Sequence, residues 1–194
     1  RDLLGGQTTI YQGFDPTKPS LHVGHLMSLM AHNHLQDAGH KLIFILGAGT
    51  AQVGDPSGKS KARKMISVEE VRENAEAVKR QVQAAGLVDF EHDRDRKPAA
   101  MMLDNSEWLD MPLLEYARDV TVHFSVNELV KRETFKKRLQ EEESLSLIEF
   151  LYTTLQGYDF LHLYDKYGCM IQMGGNDQWA NILDGTTLVR RKHG

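Results

Sequence analysis

Apolar positions along the chain alternate between runs suited to strands and stretches with helical period. Residues 8–14, TTIYQGF, are rich in β-formers and predict a first strand. Leu26, Leu29, Met30 and Leu35 recur at helical spacing within 22–38, and Gly39 closes that run. Residues 41–47, KLIFILG, read as a buried strand, and a polar loop rich in Gly, Ser and Lys follows from Gly47 to Lys64. Ser67 and Glu70 form a capping-box pattern that opens a helix over about 68–86. Residues 100–104, AMMLD, predict a third strand. Helical patterns dominate from about 112 to 167, with breaks near Phe124–Ser125 and Glu142–Ser146. Residues 169–173, CMIQM, form another short strand, and a last helix starts near Asp177.

The β-α-β-α-β start predicts an α/β fold, a Rossmann-like parallel sheet with flanking helices, right-handed crossovers and a helical insertion. Residues 1–111 would form the first half of this fold, 112–167 the insertion, and 168–194 the start of the second half. Ligands in such folds bind beyond the carboxyl ends of the strands. Three polar turns follow predicted strands, Asp15–His25, Gly47–Lys59 and Gly174–Gln178, and are expected to converge on one site. No internal repeat or low-complexity tract interrupts this pattern, and the charged run His92–Lys97 reads as a solvated loop.

Composition adds limits. At 194 residues and 41% hydrophobic, the chain can bury one compact core. Its net charge of −4 confines any RNA contact to a local patch. The one cysteine, Cys169, allows no internal disulfide and no cysteine-based metal site, and fits a reducing compartment, the cytoplasm or an organelle matrix. No signal peptide or membrane span is expected. The chain lacks an initial methionine and ends at LVRRKHG, so a fragment of a longer protein is expected.

Four segments carry candidate chemistry. Tyr11-Gln-Gly-Phe-Asp-Pro-Thr17 leads into His22-Val-Gly-His25 at a strand-to-helix turn. A helix N-terminus offers free N–H groups and a positive dipole end to phosphates, and two histidines three apart share a face there. Gly24 between them leaves room for a flat ring to approach the backbone. An HxGH alone points to nucleotidyl transfer in general, with chance or half of a metal site as the plainer alternative; preceded by GFDPT it is more specific. The second segment runs from Gly47 through Asp55 to Lys59, with Arg63 close behind. It places a carboxylate and cations on a glycine-rich turn, suited to an ammonium and a polyphosphate. It lacks Walker A spacing, and a flexible surface loop is its plainer reading. The third is Tyr152-Thr-Thr-Leu-Gln156-Gly-Tyr-Asp159, which sets a phenol, an amide and a carboxylate on one helix stripe among apolar flanks. The fourth is Gln172-Met-Gly-Gly-Asn-Asp177-Gln-Trp-Ala-Asn181, where Asp177 suits a ribose hydroxyl pair, a helix cap or both.

Together these segments resemble the bacterial-type tyrosyl-tRNA synthetases, a class I family, over nearly the whole chain. The family pattern YxGFDPTxxSLHxGH, GDPSGK, HFSVN, YxxLQxYDF, GGSDQWGN is met by YQGFDPTKPSLHVGH, GDPSGK, HFSVN, YTTLQGYDF, GGNDQWAN in the same order. The resemblance implies that Tyr11 and Asp159 bind the tyrosine hydroxyl, that Asp55, Tyr152 and Gln156 hold its ammonium group, and that Gln178 lies near its carboxylate. It implies that Thr17, His22 and His25 contact ATP, with Lys59 and Arg63 on the pyrophosphate, and that Asp15, Gly24, Gly175 and Asp177 line the ATP site. The implied reaction joins L-tyrosine and ATP, with Mg²⁺ carried by ATP and no protein metal site, before transfer to tRNA(Tyr) by the full-length enzyme. A homodimer through helices 112–150 is implied as well.

The sequence departs from the family at Asn176, Ala180, Gln12 and the GAGTAQ turn, and the family's KMSKS-type loop would lie beyond Gly194. The fragment is therefore expected to bind both substrates but to activate tyrosine slowly. Other readings are a different HxGH nucleotidylyltransferase, a tryptophanyl relative, or a synthetase-like fragment that only binds RNA or protein.

Overall fold

The computed structural model describes residues 5–55, 66–91, 97–142 and 144–194. Strand β1 (Thr9–Phe14) is followed by α1 (Val23–Asp37), β2 (Lys41–Leu46), the short α2 (Ala48–Ala51), α3 (Val68–Ala84) and β3 (Met101–Asp104). A helical stretch follows: α4 (Ser106–Leu109), α5 (Leu113–Asp119), α6 (Val126–Leu129), α7 (Glu133–Gln140) and the long α8 (Leu147–Tyr167). The chain then returns through β4 (Cys169–Gln172) to α9 (Trp179–His193). The strands form one parallel sheet in the order β3-β2-β1-β4. The connection reverses direction between β1 and β4, which opens a crevice beyond their carboxyl ends.

Side chains alternate along β1 and divide the core. Ile10 and Phe14 pack with Leu42, Phe44 and helix residues Leu29, Ala75 and Val78 on one face. Tyr11 packs with Ile43, Ile45, Trp108, Phe160 and Leu163 on the other. Phe160 and Leu163 belong to α8, so one face is covered by α1 and α3 and the other by α8. The Cys169 side chain is fully buried in the second cluster. Ser146 and Glu149 cap the start of α8 reciprocally, and Gly168, at φ 62°, ends it in a left-handed turn that only glycine adopts readily.

The strands lie where the hydrophobic runs put them, and the breaks in the helical stretch fall close to the expected places. Several details differ, among them α4, which precedes the expected helical start near 112, and a further break between α6 and α7. The loop after β2 contains the single turn α2. The last helix begins at Trp179, after a 3-10 turn over Asn176–Gln178, rather than at Asp177. In α1 only part of the apolar stripe is buried: Leu29 is covered, whereas Leu26 and Met30 are 43% and 49% exposed. The buried face is completed by His32 and Gln36. The Gln36 amide donates to the carbonyls of Asp89 and Pro98 and accepts from Asp89 N–H, which repays its burial.

Candidate active site

A cavity of about 1340 Å³ opens at the carboxyl ends of β1, β2 and β4. That exceeds the roughly 300–1,000 Å³ of a single small-ligand pocket. Tyr11, Asp15, Thr17, His22, Gly24, His25, Asp55, Tyr152, Gln156, Asp159, Gly175, Asp177 and Gln178 all line it. The three polar turns expected to converge do so through their described residues. Lys59 and Arg63 lie outside the described residues.

At one end, α1 begins under its two histidines. His22 Nδ1 accepts from Gly24 N–H at 3.1 Å, and His25 Nδ1 accepts from His22 N–H at 3.2 Å. This is a capping box built from imidazoles, with ring centroids 4.0 Å apart. A ring nitrogen that accepts carries no proton, so each neutral ring holds its proton on Nε2, as a donor. Burial, with the nearby His22, lowers the pKa of His25 and favours this neutral form. A side chain at Gly24 would meet the folded-back ring, its Cβ 2.9 Å from His22 Cε1. The positive end of the α1 dipole faces this end of the cavity.

At the other end, α8 turns its polar stripe into the cavity. Tyr152 and Asp159 are buried, which rules out a solvated face. The Tyr152 hydroxyl donates to Asp15 Oδ2 at 2.8 Å, and Thr50 Oγ1 donates to Asp15 Oδ1 at 2.8 Å. A side chain at Gly47 would collide with that Asp15 carboxylate. Asp159 accepts from Trp108 Nε1 at 2.7 Å and from Asn105 Nδ2 at 3.1 Å. Burial pushes its pKa up to about 7, opposed by those two donors and reinforced by Asp15. The Tyr11 hydroxyl is buried and has no hydrogen-bond partner among the described residues. Burial and the neighbouring Asp159 hold its pKa well above the usual phenol value. Between the two ends, Gln178 Nε2 donates to Asp55 Oδ2 at 2.8 Å and to Asp177 Oδ2 at 3.1 Å. Asn181 Nδ2 donates to Gln156 Oε1 at 2.9 Å.

Sequence reasoning missed Thr50, Asn105 and Trp108, and carried Asn181 only as the last residue of the fourth segment, without a role. Asn105 and Trp108 follow β3 in the turn Asp104-Asn-Ser-Glu-Trp108, a fourth polar turn at a strand's carboxyl end. The rule that found the other three would have found it. Asn181 lies one helical turn beyond Gln178, a weaker signal. Gln12 and Gln172 also line the cavity, each with a buried Oε1 that has no partner among the described residues. Among the described residues, no group of three His, Cys, Asp or Glu side chains could hold a metal ion.

A parallel sheet with helices on both faces and a crevice at its switch point define an α/β protein of Rossmann-like architecture. Residues 4–194 match the family described as tRNA synthetases class I (W and Y), and the chain belongs to that family. Among curated relatives, the tyrosine–tRNA ligase of Acetivibrio thermocellus is 49% identical over 187 residues, 96% of this chain and 44% of that protein. The tyrosine–tRNA ligase of Desulfatibacillum aliphaticivorans is 48% identical over 195 residues, 100% of this chain and 44% of that protein. The chain thus spans 44% of the length of these two relatives. A solved structure of C-terminally truncated mitochondrial tyrosyl-tRNA synthetase from Aspergillus nidulans superposes with a TM-score of 0.84 at 32% identity, covering 94% of this chain and 52% of that one. No helix among the described residues is long and apolar enough to cross a membrane.

Proposed function

We propose that this chain is the tyrosine-activating part of a tyrosyl-tRNA synthetase. It binds L-tyrosine and ATP and forms tyrosyl-adenylate and pyrophosphate; the full-length enzyme then transfers the tyrosyl group to tRNA(Tyr). The observation that carries this reading is a buried, unpartnered Tyr11 hydroxyl that lines the same cavity as the buried Asp159, whose charge acts on it. A phenol hydroxyl entering there donates to Asp159 and accepts from Tyr11, which satisfies both. Phenylalanine would leave them unpaired, and tyrosyl-tRNA synthetases are themselves the worked example of that kind of rejection.

The amino acid lies along α8. Its ammonium group meets Asp55, Tyr152 and Gln156, and its carboxylate lies beside Gln178 and faces the histidine end. That carboxylate attacks the α-phosphorus of ATP. One P–O bond forms, the bond to the β-phosphate bridging oxygen breaks, and pyrophosphate leaves with the electron pair. The enzyme forms no covalent bond of its own, so its contribution is positioning and stabilisation of developing charge. The Nε2–H groups of His22 and His25, Thr17 and the first turn of α1 donate to phosphate oxygens, with Lys59 and Arg63 on the departing pyrophosphate. Gly24, Gly175, Asp177 and Asp15 border the adenosine. Mg²⁺ enters as part of the MgATP substrate.

We assign residues 112–167 to an insertion that also carries a homodimer contact. Leu113, Leu114, Val122, Val126 and Leu147, 66–81% exposed, support that contact. The single cysteine, buried, fits a reducing compartment such as the cytoplasm. The test is isotope exchange of pyrophosphate into ATP, measured with the longest natural form of the protein. Exchange that requires tyrosine, and that phenylalanine and tryptophan do not support, is expected. Exchange driven equally by another amino acid, or none with any, would refute the assignment.

A further inference from the structure

Helix α8 carries Asp159 and, three residues on, His162. The two are joined through a residue from another element. The Trp108 indole donates from Nε1 to Asp159 Oδ1 at 2.7 Å, and its ring lies flat on the His162 imidazole, with centroids 4.4 Å apart and planes 10° apart. Neither Trp108 nor His162 lines the cavity. Trp108 sits in α4, four residues long, directly after the edge strand β3. One helical turn has no stability of its own, so the indole takes its orientation from what it packs against. The nearly parallel planes make the contact with the indole one of ring faces, and His162 Nε2 is buried with no hydrogen-bond partner among the described residues.

We propose that His162 is a positioning residue for hydroxyl recognition, acting through Trp108. Its stacking fixes the indole N–H on Asp159 and so sets the direction in which that carboxylate presents its remaining lone pairs to the cavity. The proposal rests on the tyrosine reading above and extends it to a residue that touches no substrate. A carboxylate has about four lone-pair sites, and Trp108 and Asn105 use one on each oxygen. Hydrogen bonds weaken steeply away from linearity, so a tilted indole would let the carboxylate rotate and would misdirect the sites left for a phenol. Reader and buttress are three residues apart on one helix, so both move with it. The ring face makes the contact, so a flat apolar ring should replace histidine and a small side chain should not.

The experiment is calorimetric binding of tyrosine, phenylalanine and ATP, each alone, to the parent protein, His162→Phe, His162→Ala and Trp108→Phe. His162→Phe should keep the parental preference for tyrosine. His162→Ala should reduce it about tenfold with ATP affinity unchanged, and Trp108→Phe, which keeps a ring but removes the donor, should do the same. Parental preference in His162→Ala would overturn the proposal, as would His162→Phe behaving like His162→Ala. A joint fall in tyrosine, phenylalanine and ATP affinity would overturn it too, because that is general loss of structure. A parent protein with no preference for tyrosine would overturn the underlying reading, and the proposal with it.

Discussion

Asp159 is buried among groups that compete over its charge. Burial raises its pKa from 3.8 to about 7, while the N–H donors of Asn105 and Trp108 pull it back and Asp15 pushes it up further. The unfolded chain releases this proton near pH 3.8 and the folded chain near pH 7. Between those values the folded state binds more protons, so the contribution to stability falls as pH rises through that window. It is fully present below the lower value and lost above the upper one. The shift corresponds to on the order of 4 kcal/mol. Denaturant titrations at pH 4 and pH 8 should therefore show Asp159→Asn gaining stability relative to the parent at the higher pH. Parallel pH profiles for the two proteins would contradict this. The same residue was legible in the sequence, because i, i+4, i+7 spacing set Tyr152, Gln156 and Asp159 on one stripe among apolar neighbours. Its two donors were not weighed, because Asn105 and Trp108 sit in a turn that resembles no phosphate or ribose motif.

At the scale of elements, α8 and α9 pack closely at small residues. A Cβ on Gly157 would lie 3.6 Å from the backbone at Asp184 and Gly185, and one on Gly185 would lie 2.9 Å from Phe160 Cβ and Cδ1. Gly185→Ala should cost about 1–3 kcal/mol by overpacking, read as a lower urea midpoint with unchanged slope. Because Phe160 packs against Tyr11 with tilted rings, centroids 5.6 Å apart, the same variant should weaken tyrosine binding more than ATP binding. Unchanged stability would show that the helices can move apart at no cost. The buried Arg138–Glu149 pair anchors the turn before α8, and Glu149 Oε2 also accepts from Ser146 N–H at 2.9 Å. Strands, caps and helix breaks were readable because each has a local cause. The Ser67 side chain, for one, accepts from Glu70 N–H at the start of α3. Which face of α1 is buried was not readable. Val23, Leu26, Met27 and Met30 are exposed while His32 and Gln36 are buried, because neighbours distant in sequence supply the covering groups. The single turn α2 escaped notice because four residues carry no period.

The whole molecule works by bringing β1, the β2 turn, α8 and the β4 turn to one crevice. Each motif alone was ambiguous, and the parallel order β3-β2-β1-β4 joins them. Topology was legible at the level of fold class, since alternating strands and helices imply a parallel sheet. The side-chain links between turns, such as Gln178 to Asp55 and Tyr152 to Asp15, are long-range and leave no trace in local pattern. The central claim is that this crevice reads the ring hydroxyl of tyrosine through Tyr11 and Asp159. Isothermal calorimetry of tyrosine against phenylalanine, on the parent protein and on Asp159→Asn, tests it most directly. Tyrosine should bind, phenylalanine should scarcely bind, and the variant should lose the distinction. Equal binding of the two amino acids by the parent protein would contradict the account.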